Sequence, residues 1–395
     1  MTRIAIVAPD EWTVWWFYRH LLLALQRQGG EITAFTAPGP HIPKLTAMGV
    51  EHVAVPYGRF VNPGKDIELY RALRREFTKR RFDIVQNITI KANIFGALAA
   101  HSASVANIIN TVEGAGLLYS DSPSPRVKAI RAIAEVGLKR ARPHVSQYWF
   151  VNDRDRDLFV RRGLADPTKS VVAIATGVDT NQFNGDSISE TELAAIRKEL
   201  DLDDTRPIVL NIAGRLLRSK GIAEFVESAR IVRGRGRDAQ FVLVGPEEPG
   251  NPDELPFGVV ADAMKDGVLK WISFREDVPQ MYALATIAVI PTYYAEGTPK
   301  GILEGMAMGL PLVCTDIPSI TALVSPREDG LLVPPRSGQH LADAICELLD
   351  SADLRWNLGI AARRKAVAEF DADRAAAIAV KEVYGKLPAW NPRTT

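Results

Sequence analysis

Short apolar, β-branched runs alternate with amphipathic stretches along almost the whole chain. In the first half the runs at 3–8, 31–36, 83–86, 105–110, 147–151 and 170–174 read as strands. Helical periodicity fills the intervals at 14–28, 65–80, 90–101, 125–142 and 153–163. The second half repeats the arrangement, with strands at 208–213, 240–244, 270–273, 286–290, 311–314 and 331–333 and helices between them. Strand–helix alternation of this kind predicts α/β architecture with parallel sheets covered on both faces. Two such blocks predict two Rossmann-like domains, each with its ligand at the carboxyl ends of the strands. The boundary is expected within 176–190, where Thr176-Gly177-Val178-Asp179 leads into the polar run Asn184-Gly185-Asp186-Ser187. Three consecutive helical patterns then close the chain, at 337–351, 353–369 and 371–386, so its end is expected to leave the sheet.

Length agrees, because 395 residues exceed what one compact core usually organises. A composition of 47% hydrophobic and 24% charged residues is that of a soluble globular protein. The formal net charge of +1 argues against a dedicated nucleic-acid binder. Residues 1–180 nevertheless hold 24 Lys and Arg against 16 Asp and Glu, a balance of +8, and the remainder holds 24 against 31, a balance of −7. A basic first half suits an anionic partner, such as a phosphorylated acceptor or a membrane surface, and equally suits drift of surface charge. Cys314 and Cys346 sit in apolar surroundings and form no motif, as expected of reduced core residues in a cytoplasmic protein. The six histidines show no ligand spacing, so no metal is expected. The run Ile4–Ala8 reads as a first strand rather than a signal peptide, and no stretch has the length of a membrane span.

The most specific pattern is Glu296-Gly297-Thr298-Pro299-Lys300-Gly301-Ile302-Leu303-Glu304, followed by Gly305-Met306-Ala307-Met308-Gly309-Leu310-Pro311. It begins in the loop after the strand at 286–290, and Pro299 suits the first turn of a helix. Backbone N–H groups around Thr298, Lys300 and Gly301 would then present the positive end of the helix dipole to an anion such as a diphosphate. Glu304 would lie about a turn and a half into that helix, where a carboxylate can accept hydrogen bonds from a vicinal diol such as a ribose. A second cluster, Ala213-Gly214-Arg215-Leu216-Leu217-Arg218-Ser219-Lys220-Gly221, directly follows the strand at 208–213. Fixed Arg and Lys side chains there can stabilise the charge that develops on a leaving diphosphate.

The paired acids, with seven residues between them, resemble the signature of family 4 retaining glycosyltransferases of the GT-B fold. The resemblance implies that Glu296 contacts the donor sugar and Glu304 the ribose. It also implies that Gly214, Arg215 and Lys220, with Arg218 a weaker candidate, hold the pyrophosphate without a metal or other cofactor. Val244-Gly245-Pro246 is similar to the family's sheet glycine. In Phe274-Arg275-Glu276-Asp277-Val278-Pro279 the family reads the nucleobase, largely through backbone groups, which places Arg275 and Val278 among the donor contacts. The implied architecture is two Rossmann-like domains facing each other across a cleft. The first comprises residues 1–180, with 371–395 packing back onto it through a crossing C-terminal helix, and the second comprises 181–370.

On the acceptor side, Asp10-Glu11-Trp12-Thr13-Val14-Trp15-Trp16-Phe17-Tyr18-Arg19-His20 is similar to a subgroup acting on polyprenyl-diphosphate-linked sugars. That subgroup carries an aromatic stretch and then an adjacent His-Arg pair; here the order is Arg19-His20. Thr89-Ile90-Lys91 with Phe95-Gly96, and Asn110-Thr111-Val112-Glu113-Gly114-Ala115-Gly116, look like the same subgroup, with Gly-Ala-Gly for its usual Gly-Leu-Gly. Arg19, His20, Lys91, Glu113 and Gly114 are therefore the candidate acceptor contacts. No His stands soon after the strand at 105–110, and Glu113 is the nearest group able to orient an acceptor hydroxyl or take its proton. The helix at 125–142 mixes Val127, Ile130, Val136 and Leu138 with Arg126, Lys128, Arg131, Lys139, Arg140 and Arg142, a basic amphipathic pattern compatible with an anionic membrane.

The expectation is thus a metal-independent retaining glycosyltransferase. It would move a sugar from a nucleotide diphosphate sugar, UDP-linked by resemblance, to a glycan on a polyprenyl diphosphate in bacterial polysaccharide or glycoconjugate assembly. It would work in the cytoplasm, peripherally at the inner face of the plasma membrane. Two other readings use the same motifs: a nucleotide-sugar epimerase of this fold, and a non-catalytic nucleotide-sugar-binding protein.

Overall fold

The computed structural model describes residues 1–58, 61–114, 116–119, 125–174, 176–294 and 297–392. The chain divides into two compact units. One comprises Met1–Gly177 and the chain from Ala372 onward, together with Gly297 and Thr298; the other comprises Val178–Tyr294 and Pro299–Asp371.

The first unit holds a seven-stranded parallel sheet in the order β3-β2-β1-β4-β5-β6-β7. Its strands are β1 (Thr2–Asp10), β2 (Gly30–Ala37), β3 (Glu51–Ala54), β4 (Ile84–Ile88), β5 (Asn107–Val112), β6 (Gln147–Phe150) and β7 (Ser170–Val172). The central run Ile4–Ala8 is buried throughout, as expected of a strand covered on both faces. β1 pairs with β2 on one side and with β4 on the other, so the strand order reverses between β1 and β4. On one face Phe35, Phe77 and Phe82 pack edge to face. On the other face the core includes Tyr18, Trp149, Tyr384 and Trp390.

Sequence periodicity missed β3, whose Glu51-His52-Val53-Ala54 is a partly exposed edge without an apolar run. β5 begins at Asn107, later than the expected 105, because the preceding turn carries the chain through Ser104 at φ 59°. The helix expected at 14–28 is composite. A short turn at Glu11–Thr13, capped by Asp10, runs into a π-helical stretch at Val14–Tyr18 and then an α-helix at Arg19–Arg27.

A polar network crosses the sheet interior. Gln86 donates to Thr111 Oγ1 and Asn87 to Asn110 Oδ1, both at 2.9 Å. Asn93 donates to the Thr111 carbonyl and Asn110 to that of Asn93, again at 2.9 Å. Tyr384 donates to Gln86 Oε1. Pairing between amides on adjacent strands fixes β4 against β5, and with them the loops that follow. The helix Ala372–Glu382 packs on Arg19–Arg27. Its turn partner Tyr384 is fully buried.

The second unit has a six-stranded parallel sheet in the order β10-β9-β8-β11-β12-β13. These are β8 (Ile208–Ile212), β9 (Gln240–Val244), β10 (Lys270–Ile272), β11 (Ile287–Ile290), β12 (Leu312–Thr315) and β13 (Leu331–Val333). Here the order reverses between β8 and β11. Cys314 and Cys346 are both buried, and burial pushes the Cys314 thiol up. The helices Gly338–Asp350 and Ala352–Glu369 complete the unit. At its edge Val178 pairs with Asp371, whose carboxylate accepts from Thr180 Oγ1 at 2.7 Å.

Candidate functional site

In open parallel sheets the crevice for a ligand opens where the strand order reverses, at the carboxyl ends. In the second unit this directs attention to the segments following β8 and β11, which are the two motif-bearing segments. They are bonded to each other: Tyr293 N–H donates to the Ser219 carbonyl at 2.8 Å and Thr292 Oγ1 to the same oxygen at 3.2 Å.

Gly214 leaves β8 at φ 71°, a left-handed conformation that favours glycine. Leu216 and Leu217 are buried and anchor the turn. Arg215 reaches Glu248, with Nη1 at 3.0 Å from Oε2. Glu248 is only 6% exposed and also accepts from Asn251 Nδ2 at 2.9 Å. Ser219 donates to Asp253 through both its hydroxyl and its N–H, which ties the 245–254 loop across the motif. The Lys220 ammonium lies 5.9 Å from the Tyr294 ring centre. Gly221, also at φ 71°, lies where a Cβ would meet the Pro291 carbonyl, so both conformation and space require glycine.

The helix Lys300–Ala307 follows β11, with Pro299 at its cap position rather than within its first turn. Tyr282 donates to the Gly301 carbonyl at 3.1 Å. Glu304 is half-buried. Desolvation holds its carboxyl above the usual carboxylate range, Lys300 offsetting part of the rise. No described residue hydrogen-bonds that carboxylate. Thr298 directly precedes the cap, and Glu296 lies outside the described residues.

Arg275 is spoken for. Its guanidinium meets Asp277 twice at 2.6 Å and Glu199 at 2.6 and 3.2 Å. That pins the loop from β10 into the helix Val278–Leu284, so Arg275 shapes the backbone around Val278.

In the first unit the order reverses between β1 and β4. Glu11, directly after β1, is buried and accepts from the His41 N–H at 3.1 Å, with the His41 ring at 3.2 Å. Burial would raise its carboxyl, but the His41 contacts and helix-start N–H groups outweigh it and leave it below the ordinary value. Gly39 closes the pair, since a Cβ there would strike the Glu11 carboxylate.

The Tyr18 hydroxyl, on a side chain with 0% exposure, donates to Glu113 Oε1 at 2.8 Å. Glu113 stands in the turn after β5, beside Gly114, and Ala115 lies outside the described residues. Arg19 Nε donates to His20 Nε2 at 3.3 Å, and His20 Nδ1 lies 3.1 Å from Asp373 Oδ1. The Arg19 guanidinium rests 5.8 Å from the Trp15 ring centre and Lys44 rests 5.6 Å from it.

Lys91 is engaged as well, 2.7 Å from Asp66 and 2.6 Å from the Gly58 carbonyl. Nearby Thr89, just past β4, caps the helix Ile90–Ser102 at φ 78°, costly for a β-branched residue, and its hydroxyl lies 3.0 Å from Tyr57 Oη.

The expected acceptor residues thus fall into separate contacts: Glu113 with Tyr18, Arg19 with His20 and Asp373, and Lys91 with Asp66. In the aromatic stretch Trp15–Tyr18 only Tyr18 is core; Trp15, Trp16 and Phe17 are partly exposed, and their neighbour Trp12 is 40% exposed. Sequence reading missed Glu11, Glu248, Asp253 and Asp373. Glu11 and Glu248 each sit a few residues past a strand's carboxyl end, a position that could have flagged them.

Two family models match this chain, "Glycosyltransferase Family 4" over residues 14–182 and "Glycosyl transferases group 1" over residues 207–351. The N,N'-diacetylbacillosaminyl-diphospho-undecaprenol alpha-1,3-N-acetylgalactosaminyltransferase of Campylobacter jejuni is 27% identical, over 90% of this chain and 92% of its own length. The UDP-Gal:alpha-D-GlcNAc-diphosphoundecaprenol alpha-1,3-galactosyltransferase of Escherichia coli is 26% identical, over 72% of this chain and 70% of its own. Among solved structures, Anabaena Alr3699/HepE in complex with UDP and glucose shares the fold, with a TM-score of 0.79 over 98% of this chain and 100% of that one at 17% identity.

Proposed function

The chain belongs to the family 4 glycosyltransferases of the GT-B fold, and from that premise we propose that it transfers a sugar, with retention, from a nucleotide diphosphate sugar to a glycan on a polyprenyl diphosphate. The observation that carries this reading is the pairing of the two loops at the strand reversal of the second unit. It joins the loop that carries Arg215 and Lys220 to the segment after β11 that leads into the helix Lys300–Ala307, which carries Glu304.

In this reading the helix start and the two cations receive the diphosphate, and Glu304 accepts hydrogen bonds from the ribose. The bond from the sugar C1 to the phosphate oxygen breaks while the acceptor oxygen bonds C1 on the same face. The acceptor's proton passes to the departing phosphate, and Glu113 orients the hydroxyl. Arg215 and Lys220 hold the negative charge as it grows. Glu296 takes the donor sugar, as the family resemblance implies. UDP is the proposed nucleotide, named in the E. coli relative and the Anabaena complex.

Transfer is proposed to need no divalent metal. Among the described residues no three His, Cys, Asp or Glu side chains gather as a metal set.

We assign the acceptor side a membrane contact through the helix Pro125–Ala141. Ile133 and Val136 are 64% and 69% exposed, and Arg126, Lys128, Lys139 and Arg140 are exposed around them. No helix among the described residues is long and apolar enough to cross a membrane. The proposed attachment is peripheral, at the inner face of the plasma membrane.

The test is an assay with a synthetic undecaprenyl-diphosphate-linked sugar and a panel of nucleotide sugars, with and without EDTA. Expected are nucleotide release matched by a product with the donor's anomeric configuration, unchanged by EDTA. Inverted product overturns the retaining reading. Loss in EDTA restored by magnesium overturns the metal-free role of Arg215 and Lys220. A new sugar nucleotide formed without acceptor replaces transfer by epimerisation.

A further inference from the structure

Tyr18 is fully buried in the core beneath β1, with the Trp149 ring 6.3 Å away edge to face and Tyr384 in the same cluster. A phenylalanine would fill that space. The hydroxyl adds one contact, the 2.8 Å hydrogen bond to Glu113 Oε1, from a residue 95 positions away. Tyr18 is the donor: burial, then the neighbouring Glu113 charge, holds its own proton on tightly. It ends the π-helical stretch Val14–Tyr18, a type of turn that recurs at functional sites. Glu113 follows β5, whose register against β4 is fixed by the Asn87–Asn110 and Gln86–Thr111 bonds.

Tyr18 is therefore held by the core around it, and Glu113 directly follows a strand whose register is fixed. A carboxylate can accept from Tyr18 and from an incoming hydroxyl together.

We propose that Tyr18 is a positioning residue for transfer: its buried hydroxyl holds the Glu113 carboxylate in the orientation that receives the acceptor's hydroxyl. The proposal rests on the acceptor role given to Glu113 above. Tyr18 touches no substrate; its hydrogen bond helps to select the rotamer of the Glu113 side chain.

The experiment compares Tyr18→Phe, Glu113→Gln and the double variant with the wild type. It measures kcat, KM for donor and acceptor, slow acceptor-free hydrolysis of the donor, and melting temperature. Tyr18→Phe should lower kcat for transfer about tenfold, the effect of losing one hydrogen bond to a charged group. KM for the donor and acceptor-free hydrolysis should be unchanged, because the donor side is untouched. The double variant should be no slower than Glu113→Gln alone, since Tyr18 acts on transfer only through the Glu113 carboxylate.

Equal loss of transfer and hydrolysis, or effects that add in the double variant, would reduce Tyr18 to packing and overturn the proposal. Full transfer by Tyr18→Phe, with Glu113→Gln inactive, overturns it while leaving the role of Glu113 standing. Full transfer by Glu113→Gln overturns that role instead. A lowered melting temperature with normal kcat in the folded fraction also counts against the proposal.

Discussion

The two units carry similar sheets but assemble their polar sites differently. In the second, the groups proposed for the donor lie within two contiguous stretches, 214–221 and 297–304, on segments that follow the neighbouring strands β8 and β11. In the first, each group meets a partner far away in sequence: Glu11 with His41, Tyr18 with Glu113, Lys91 with Asp66 and His20 with Asp373. A nucleotide diphosphate is a constant ligand that a loop and a helix start can hold. An acceptor varies, and if the first unit receives it as proposed, a site built from several separate loops can change one contact without rebuilding the others.

The largest expected effect would break this contrast outright. Lys220→Ala should lower transfer roughly 10²–10³-fold, the scale for losing one group that stabilises transition-state charge. Glu304→Ala should mainly weaken UDP binding. If calorimetry finds UDP affinity unchanged in both, the donor site is not on these loops.

Glu248→Gln sharpens the contrast, because it tests whether the second unit also depends on a remote partner. Removing one half of the Arg215–Glu248 pair should weaken UDP binding by about tenfold at most. Unchanged affinity with a lowered melting temperature would mean that the 245–254 loop serves the fold alone.

Smaller again is the membrane term. Each basic side chain near an anionic surface adds ~1 kcal/mol. Flotation with phosphatidylglycerol liposomes should therefore fall as salt shortens the Debye length from ~10 Å at 0.1 M to ~3 Å at 1 M. Ile133→Ser with Val136→Ser should remove the part that survives high salt. A wild type that stays soluble at low salt would refute the contact.

The smallest effect concerns Glu11. Its folded-state carboxyl lies below the ordinary value, so it adds stability that is complete above the unfolded-state titration and fades as pH falls through the lowered folded-state one. Glu11→Gln should therefore lose stability at neutral pH and show a shallower decline in acid melting curves. Parallel curves for the two proteins would contradict the assignment.

The same contrast explains what could be read from the chain. Parallel α/β order was legible because buried strands such as Ile4–Ala8 and Ile287–Ile290 are continuous apolar runs. The edge strand β3 was not, since half-exposed edges need no such run. The placement of Arg215 and Lys220 after β8, and of Glu304 in the helix after β11, was legible because each segment follows an apolar strand run. Arg275 is legible as a charged residue in the loop after β10, but its partner Glu199 comes from a distant helix and only tertiary folding supplies it. The engagement of Tyr18 had no local signal, because hydrophobic periodicity assigns its ring to the core and says nothing of its hydroxyl. Lys91 and His20 were visible as candidates, but their partners Asp66 and Asp373 arrive only through tertiary folding.

One consequence of the returning helix Ala372–Glu382 concerns the order of synthesis. The core of the first unit includes Ala376, Ala379, Val380, Tyr384 and Trp390, and Gln86 receives its tyrosine partner from this last stretch. A ribosome that has finished residue 177 must still make residues 178–371 before that stretch appears, which at ~5–20 residues per second takes roughly 10–40 s. Throughout that delay the nascent first unit shows an uncovered apolar face next to the Arg19–Arg27 helix. The unit made first is thus completed last, and its waiting surface is a natural target for holdase chaperones.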